Sequence, residues 1–228
     1  MNDKYIKILK LIKTNLEDNI EWGEYDLYND YVVKDKEQLL NELKCQVNMC
    51  HNCQLGNKRI NVVFGIGNVN ASLMLIGEAP GYEEDHKGEP FIGKAGQLLT
   101  KIINSINYNR QEVYITNIVK CHPKKNIVNC NKRDNNRAPT LYEIKNCVKY
   151  LNQQIDIIKP KVIVTLGSSA TKGLLNTDIN ISVVRGSIMK YKDIIVIPTY
   201  HPAALLRNNN LKKYVWSDMK QIRKYLLL

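Results

Sequence analysis

The sequence predicts an α/β fold in three layers, a central and mainly parallel sheet flanked by helices. Three observations predict it. Short β-branched runs at 72–77, 113–119, 162–167 and 194–200 alternate with stretches of helical period at 95–106, 141–158 and 168–175, the pattern of parallel strands joined by helical crossovers. A last helical stretch follows near 217–227. Each strand-like run also stops in polar or turn-forming residues: Gly77 to Gly81, Asn117, Gly167 to Ser169, and Tyr200 to Pro202. Ligands of open parallel sheets bind outside the carboxyl ends of the strands, so these four termini describe one cleft.

Length and composition bound the rest. A chain of 228 residues with 44% apolar content can bury a core as one domain. No apolar run reaches the roughly 18 residues of a membrane span, and residues 1–18 lack the continuous apolar stretch of a signal peptide. An intracellular protein, cytoplasmic or nucleoid-associated and without a membrane partner, is therefore expected. The 33 Lys and Arg exceed the 22 Asp and Glu by 11, and the excess is spread along the chain. That charge favours a polyanionic partner such as nucleic acid, although it carries no sequence information of its own.

Taken in order, residues 1–21 read as an amphipathic helix and 21–35 as an acidic, Tyr-rich link, together with 36–46 an N-terminal extension that caps the main domain at 47–228. A short helix over 36–46 leads to Cys50 and Cys53, a C-x-x-C pair that places two thiolates on one tight turn. A zinc ion or an iron–sulfur cluster needs four soft ligands, so the pair gains meaning from the distant Cys121, Cys130 and Cys147; without them it reads as two buried thiols. His51 between them reads as a surface residue rather than a substitute ligand. The Gly-x-Gly at 65–67 precedes its strand instead of following one and reads as a turn. The stretch 93–99 lacks the Gly-Lys-Ser/Thr of a phosphate loop and reads as the cap of the helix at 95–106. The run LMLIGEAPGYEED at 73–85 is a buried strand delivering a loop to the cleft.

Five stretches, GEAPGYEED, PFIGKAGQLL, VYITNIVKC, NRAP and PTYHPAALLR, stand in that order behind the C-x-x-C. Together they closely resemble the family 4 uracil-DNA glycosylases, the iron–sulfur branch of that superfamily, over residues 47–228. The resemblance implies a monofunctional, monomeric enzyme that removes uracil from uracil-containing DNA and leaves an abasic site. Such an enzyme must flip the nucleotide out of the stack, read the base edge and cut the bond between base and sugar. Phe91 resembles the residue that stacks on the flipped uracil. Asn117 resembles the reader of its edge, donating to O4 and accepting from N3–H, an arrangement cytosine cannot match. His201 resembles the catalytic donor to O2, where negative charge collects as the bond breaks. Leu205, Leu206 and Arg207 resemble the wedge that enters the duplex, with Arg207 near phosphate.

Glu78, Ala79 and Gly81 belong to the loop after the first strand. Where this chain has Ala79, the better-known branch of the superfamily has an Asp that helps activate water. Ala cannot act as a base, so the expected chemistry leans on leaving-group stabilisation by His201 and by backbone N–H groups of residues 78–81. Glu84 resembles the residue that crowds uracil C5 and excludes thymine, and Asp85 is expected to hold the loop. The resemblance selects Cys50, Cys53, Cys121 and Cys147 as ligands of a [4Fe–4S] cluster, a structural clamp. Residues 124–135 look like an insertion containing Cys130, which could replace one ligand, and Cys45 offers another run with Cys50 and Cys53. Lys124, Lys125, Lys132 and Arg133 in the insertion suit phosphate contact or a solvated basic loop. A non-catalytic DNA-binding or replication-accessory module on the same fold is the alternative function, and zinc the alternative metal.

Overall fold

The computed structural model describes residues 35–125 and 135–227. The expected helix over 1–21, nearly all of the link over 21–35, Cys130, Lys132 and Arg133 lie outside them. Residues Lys36–Leu228 form one compact unit.

The first described helix, α1 (Lys36–Asn48), buries Leu40, Leu43 and Val47, spaced three and four apart on one face. Strand β1 (Ile66–Gly67) follows, then β2 (Leu73–Gly77), α2 (Tyr82–Lys87), α3 (Lys94–Asn104) and β3 (Tyr114–Asn117). Helix α4 (Leu141–Ile158) leads to β4 (Val162–Leu166), α5 (Ser168–Leu175) and α6 (Ile181–Val184). The hairpin β5 (Met189–Tyr191) and β6 (Ile194–Thr199) comes next, then α7 (Pro202–Arg207) and α8 (Lys212–Leu227).

The six strands lie in the order β1-β3-β2-β4-β6-β5. The four expected strands are its parallel centre, and antiparallel β1 and β5 form the edges. All residues of β2, β3 and β4 are buried, which is why they read as unbroken apolar runs rather than alternating ones. The stretch expected as a turn at 65–67 instead supplies β1. Two residues, Ile66 and Gly67, pair with Ile115 and Tyr114, too few to leave a strand signature in the sequence. Pro198 is tolerated in β6 because β5 pairs with that strand only as far as Val196, so no ladder bond is lost on that side.

Two apolar layers sandwich the sheet. One carries Leu43, Leu151, Ile155 and Leu174 of α1, α4 and α5 against Met74 and Ile76. The other carries Leu99, Ile103, Met219 and Ile222 of α3 and α8 against Leu75, Val164 and Ile197. Helix α4 starts with a capping box. The Glu143 N–H donates to Thr140 Oγ1 at 3.2 Å, and the Thr140 N–H donates to the Glu143 carboxylate at 2.8 Å. Arg137 grips the same carboxylate with both terminal nitrogens, at 2.8 and 2.6 Å.

Asp85, fully buried at the end of the acidic loop, fastens three segments. It accepts from the N–H groups of Ile60 (2.9 Å) and Asn61 (3.3 Å) and pairs with Lys124 Nζ at 2.9 Å. Lys124 is therefore a buried anchor and not a phosphate contact; its second bond goes to the Lys58 carbonyl at 2.8 Å. Burial pushes the Asp85 carboxyl upward, but hydrogen bonds from His122, Lys124 and Ile60 outweigh it and leave its pKa below the ordinary 3.8. The stabilisation this supplies is present above pH 3.8 and is lost as pH falls through the lower folded value. Asp85→Ala strands Lys124 without its anion and should lower the unfolding free energy by about 3–5 kcal/mol, read as a shifted urea midpoint.

Candidate active site

Because β2, β3, β4 and β6 run parallel, their carboxyl ends share one edge, and a cleft of about 670 Å³ opens there. The loop 78–84 after β2 lines it together with Asn117 at the end of β3, and so do Phe91 and His201, ring beside ring. The third expected terminus, Gly167 to Ser169, contributes differently. Gly167 backs His201, its absent Cβ falling 3.1 Å from His201 Cβ, while Ser168 and Ser169 begin α5 and do not line the cleft.

The register of the sheet sets Asn117 directly beside Gly77. A Cβ on Gly77 would stand 2.3 Å from Asn117 Oδ1 and 2.4 Å from Phe91 Cζ, so both side chains close over a bare α-carbon. Asn117 is buried, and among the described residues its Oδ1 has no hydrogen-bond partner. An unpaired buried acceptor is costly alone and suits a ligand N–H. Phe91 is buried with a left-handed φ of 54°, and its ring centroid lies 5.6 Å from that of His201.

His201 is the N-cap of α7, and its Nδ1 accepts from the Ala203 N–H at 3.1 Å. That bond makes Nδ1 the unprotonated nitrogen of a neutral ring, so the hydrogen sits on Nε2. Desolvation, reinforced by the charge of Arg207 and opposed by Glu84, drops its pKa from 6.5 to about 4. The ring is a neutral N–H donor at physiological pH.

Glu84 spends its carboxylate on the backbone. Oε1 accepts from the N–H groups of Ile92 (3.0 Å) and Gly93 (3.1 Å), and Oε2 from Gly81 at 3.1 Å. Pro80 has no N–H and that of Gly81 is taken, so the backbone donors of 78–81 reduce to Glu78 and Ala79. Glu78 itself lines the cleft, and its carbonyl is fixed by the Val119 N–H at 3.1 Å. In α7, Leu205 is 1% exposed and belongs to the core, whereas Leu206 is 50% exposed and Arg207 lines the cleft. A wedge from this helix is confined to Leu206 and Arg207.

Cys50, Cys53, Cys121 and Cys147 converge on a second, smaller cavity, with Val47, Arg59, Lys120 and Tyr150 around them. Cys45 is exposed on α1 and does not line it, and exposed His51 bonds Asn57 instead. Arg59 Nη1 donates to Cys121 Sγ at 3.5 Å, and the Lys120 N–H to Cys147 Sγ at 3.3 Å. Burial pushes the Cys147 thiol up to about 12 and raises that of Cys121. Among the described residues, no group of three or more His, Cys, Asp or Glu is arranged to hold a metal ion. A tetrahedral zinc site needs all its sulfurs about 2.3 Å from one point. The four cysteines form an all-sulfur donor set, and two of the sulfurs accept N–H bonds of the kind that tune thiolate ligands.

Sequence reasoning assigned no task to several cleft residues: Tyr82, Lys94, Asn136 and Arg137. Asn136 and Arg137 stand in the NRAP stretch, which carried the resemblance without a role; Arg137 links the cleft to the α4 cap. Lys94 follows the N-cap of α3, a placement visible only once the helix start is fixed.

Comparison with known proteins follows the same outline. The profile of the Uracil DNA glycosylase superfamily matches residues 64–220. The chain is 46% identical over 193 residues to the type-4 uracil-DNA glycosylase of Sulfurisphaera tokodaii, covering 81% of this chain and 83% of that one. It is 43% identical to the type-4 enzyme of Saccharolobus solfataricus, with 79% and 83% covered, and 40% identical to that of Archaeoglobus fulgidus, with 80% and 91% covered. With its cleft at the strand ends and these relatives aligned along most of its length, the chain belongs to the uracil-DNA glycosylase superfamily, in the type-4 branch.

Proposed function

We propose that this glycosylase hydrolyses the N-glycosidic bond of deoxyuridine flipped out of DNA, leaves an abasic site, and so initiates base-excision repair. The observation that carries the reading is the neutral His201, its Nδ1 tied to the backbone, facing Phe91 above the unpaired Oδ1 of Asn117. Uracil stacks on Phe91. Asn117 Oδ1 accepts from N3–H and its amide nitrogen donates to O4, a pairing that cytosine reverses at both atoms. His201 Nε2–H donates to O2.

As the bond lengthens, electrons pass to the base and O2 gains negative charge while the sugar becomes oxocarbenium-like. A donor already in place at O2 stabilises that state without reorganising. His201 is too weakly basic to carry a proton at neutral pH, so the base departs as an anion, favoured by the same Arg207 charge that lowers the His201 pKa. Ala79 supplies no base, and water meets an already activated sugar. Leu206 enters the stack the uracil vacates, and Arg207 lies near phosphate. Glu84, while holding the loop, crowds the C5 side of the base.

Cys50, Cys53, Cys121 and Cys147 would hold a [4Fe–4S] cluster. When bound it supplies a structural tie between the turn at 50–53, the segment after β3, and α4. We expect a monomer acting inside the cell, where its DNA substrate lies.

Incubation with a uracil-containing oligonucleotide should give strand cleavage only after alkali. Salt-sensitive binding with no release would favour the non-catalytic DNA-binding module instead. His201→Asn keeps a side-chain acceptor for the Ala203 N–H but removes the Nε2 donor; it should slow single-turnover excision by about 10²–10³-fold with the fold intact. Single-turnover excision should show no inflection between pH 8 and 6.5, because folded His201 takes up its proton only near pH 4. Stability follows the same proton: unfolded His201 protonates below 6.5, so its contribution is full above that value and lost between 6.5 and about 4. The purified protein should be brown with about four iron per chain. Cys147→Ser should abolish the visible band, while Cys45→Ala and Cys130→Ala should retain it.

A further inference from the structure

Phe91 cannot hold its own backbone. A left-handed φ of 54° costs a non-glycine residue about 1–2 kcal/mol and persists only where the surroundings enforce it. The loop around it, residues 90–93, is gripped from two sides by opposite charges. On one side the Glu84 carboxylate collects the N–H groups of Ile92 and Gly93. On the other, Arg110 reaches back from the turn after α3. Its Nη2 donates to the Pro90 carbonyl at 2.8 Å, and its Nη1 to the Phe91 carbonyl at 3.1 Å. Nη1 also lies 3.5 Å from Thr100 Oγ1 on α3, which fixes the guanidinium plane. Gly96 completes the cradle: a Cβ there would fall 1.8 Å from the Phe91 carbonyl oxygen, so the bare helix backbone is what lets this carbonyl turn toward Arg110.

We infer that Arg110 is a positioning residue for uracil excision, its forked guanidinium holding the carbonyls of Pro90 and Phe91 so that the Phe91 ring stands opposite His201. The inference rests on the reading of Phe91 as the stacking platform. Arg110 lies outside the five stretches that define the family resemblance and does not line the cleft. It acts nineteen residues back along the chain, through backbone carbonyls. A planar fork serves two neighbouring carbonyls at once, whereas an ammonium group is a single point charge. Relaxation of the pair frees the loop to leave the left-handed conformation and carries the ring away from the base. Misplacement of a reacting group by about 1 Å costs up to about 10²-fold in rate.

The test is a double-mutant cycle on single-turnover excision from uracil-containing duplex, with thermal unfolding and affinity for abasic-site DNA measured on every variant. Arg110→Gln should slow excision about tenfold, and Arg110→Lys should fall between it and the parent, with abasic-site affinity within about twofold throughout. In a Phe91→Ala background, Arg110→Gln should cost less than about twofold, because the ring it positions is gone. Equal loss in both backgrounds would overturn the inference, as would an unchanged rate in Arg110→Gln. Should Arg110→Gln fail to fold, the cycle is run with Arg110→Lys and judged by the same coupling. If Phe91→Ala excises at the parent rate, the stacking reading itself fails and the inference falls with it; if only Phe91→Ala is slow, the stacking reading stands and Arg110 has no part in it.

Discussion

Asn117 Oδ1 and the Phe91 ring close on the α-carbon of Gly77, 2.3 and 2.4 Å from where a Cβ would stand. The cleft is organised around that approach. Parallel pairing of β2 and β3 puts Asn117 beside Gly77, and the missing side chain lets an aromatic ring settle over both. In the proposed reading a ring face and an amide edge meet the flat base at this point. The loop that brings Phe91 there is strained and is held by charge at both ends, Glu84 on its amides and Arg110 on its carbonyls. Strain of this kind is stored where the fold over-determines it.

The electrostatics of the cleft favour an anion leaving over a proton arriving. A recessed imidazole near Arg207 is kept neutral, with its one hydrogen directed by the bond at Nδ1. The absence of a carboxylate at Ala79 fits the same division of labour. In the proposed mechanism rate derives from stabilising uracil as it departs, and little is asked of the water that follows.

The segment after β3 joins the cleft to the cysteine cavity within a few residues. Asn117 lies in the cleft, and Lys120, three residues on, donates from Nζ to its carbonyl at 2.8 Å, to Thr116 at 2.6 Å and to Gln154 at 2.6 Å. Cys121 faces the cavity, and Lys124 pairs with Asp85. A tie among the four cysteines would therefore brace the same stretch that presents Asn117. The Asp85 network braces it from the other side, by fastening it to residues 60 and 61 behind the C-x-x-C turn.

The central strands and the long helices were legible in the sequence because their information is local. β-branched runs and helical period are spacing rules that neighbours along the chain obey by themselves. The strand ends likewise located the cleft, since parallel strands must deliver their carboxyl ends to one edge. Two-residue β1 left no such trace, and Lys124 read as a surface cation because its partner lies 39 positions away. Leu205 and Leu206 are alike in sequence, and only the packing of α7 beside α3 decides that one is core and the other exposed. The tautomer of His201, the loop held by Glu84 and the reach of Arg110 were likewise decided by the tertiary structure. Each depends on which donor meets which acceptor across the fold, and local propensity carries no record of that.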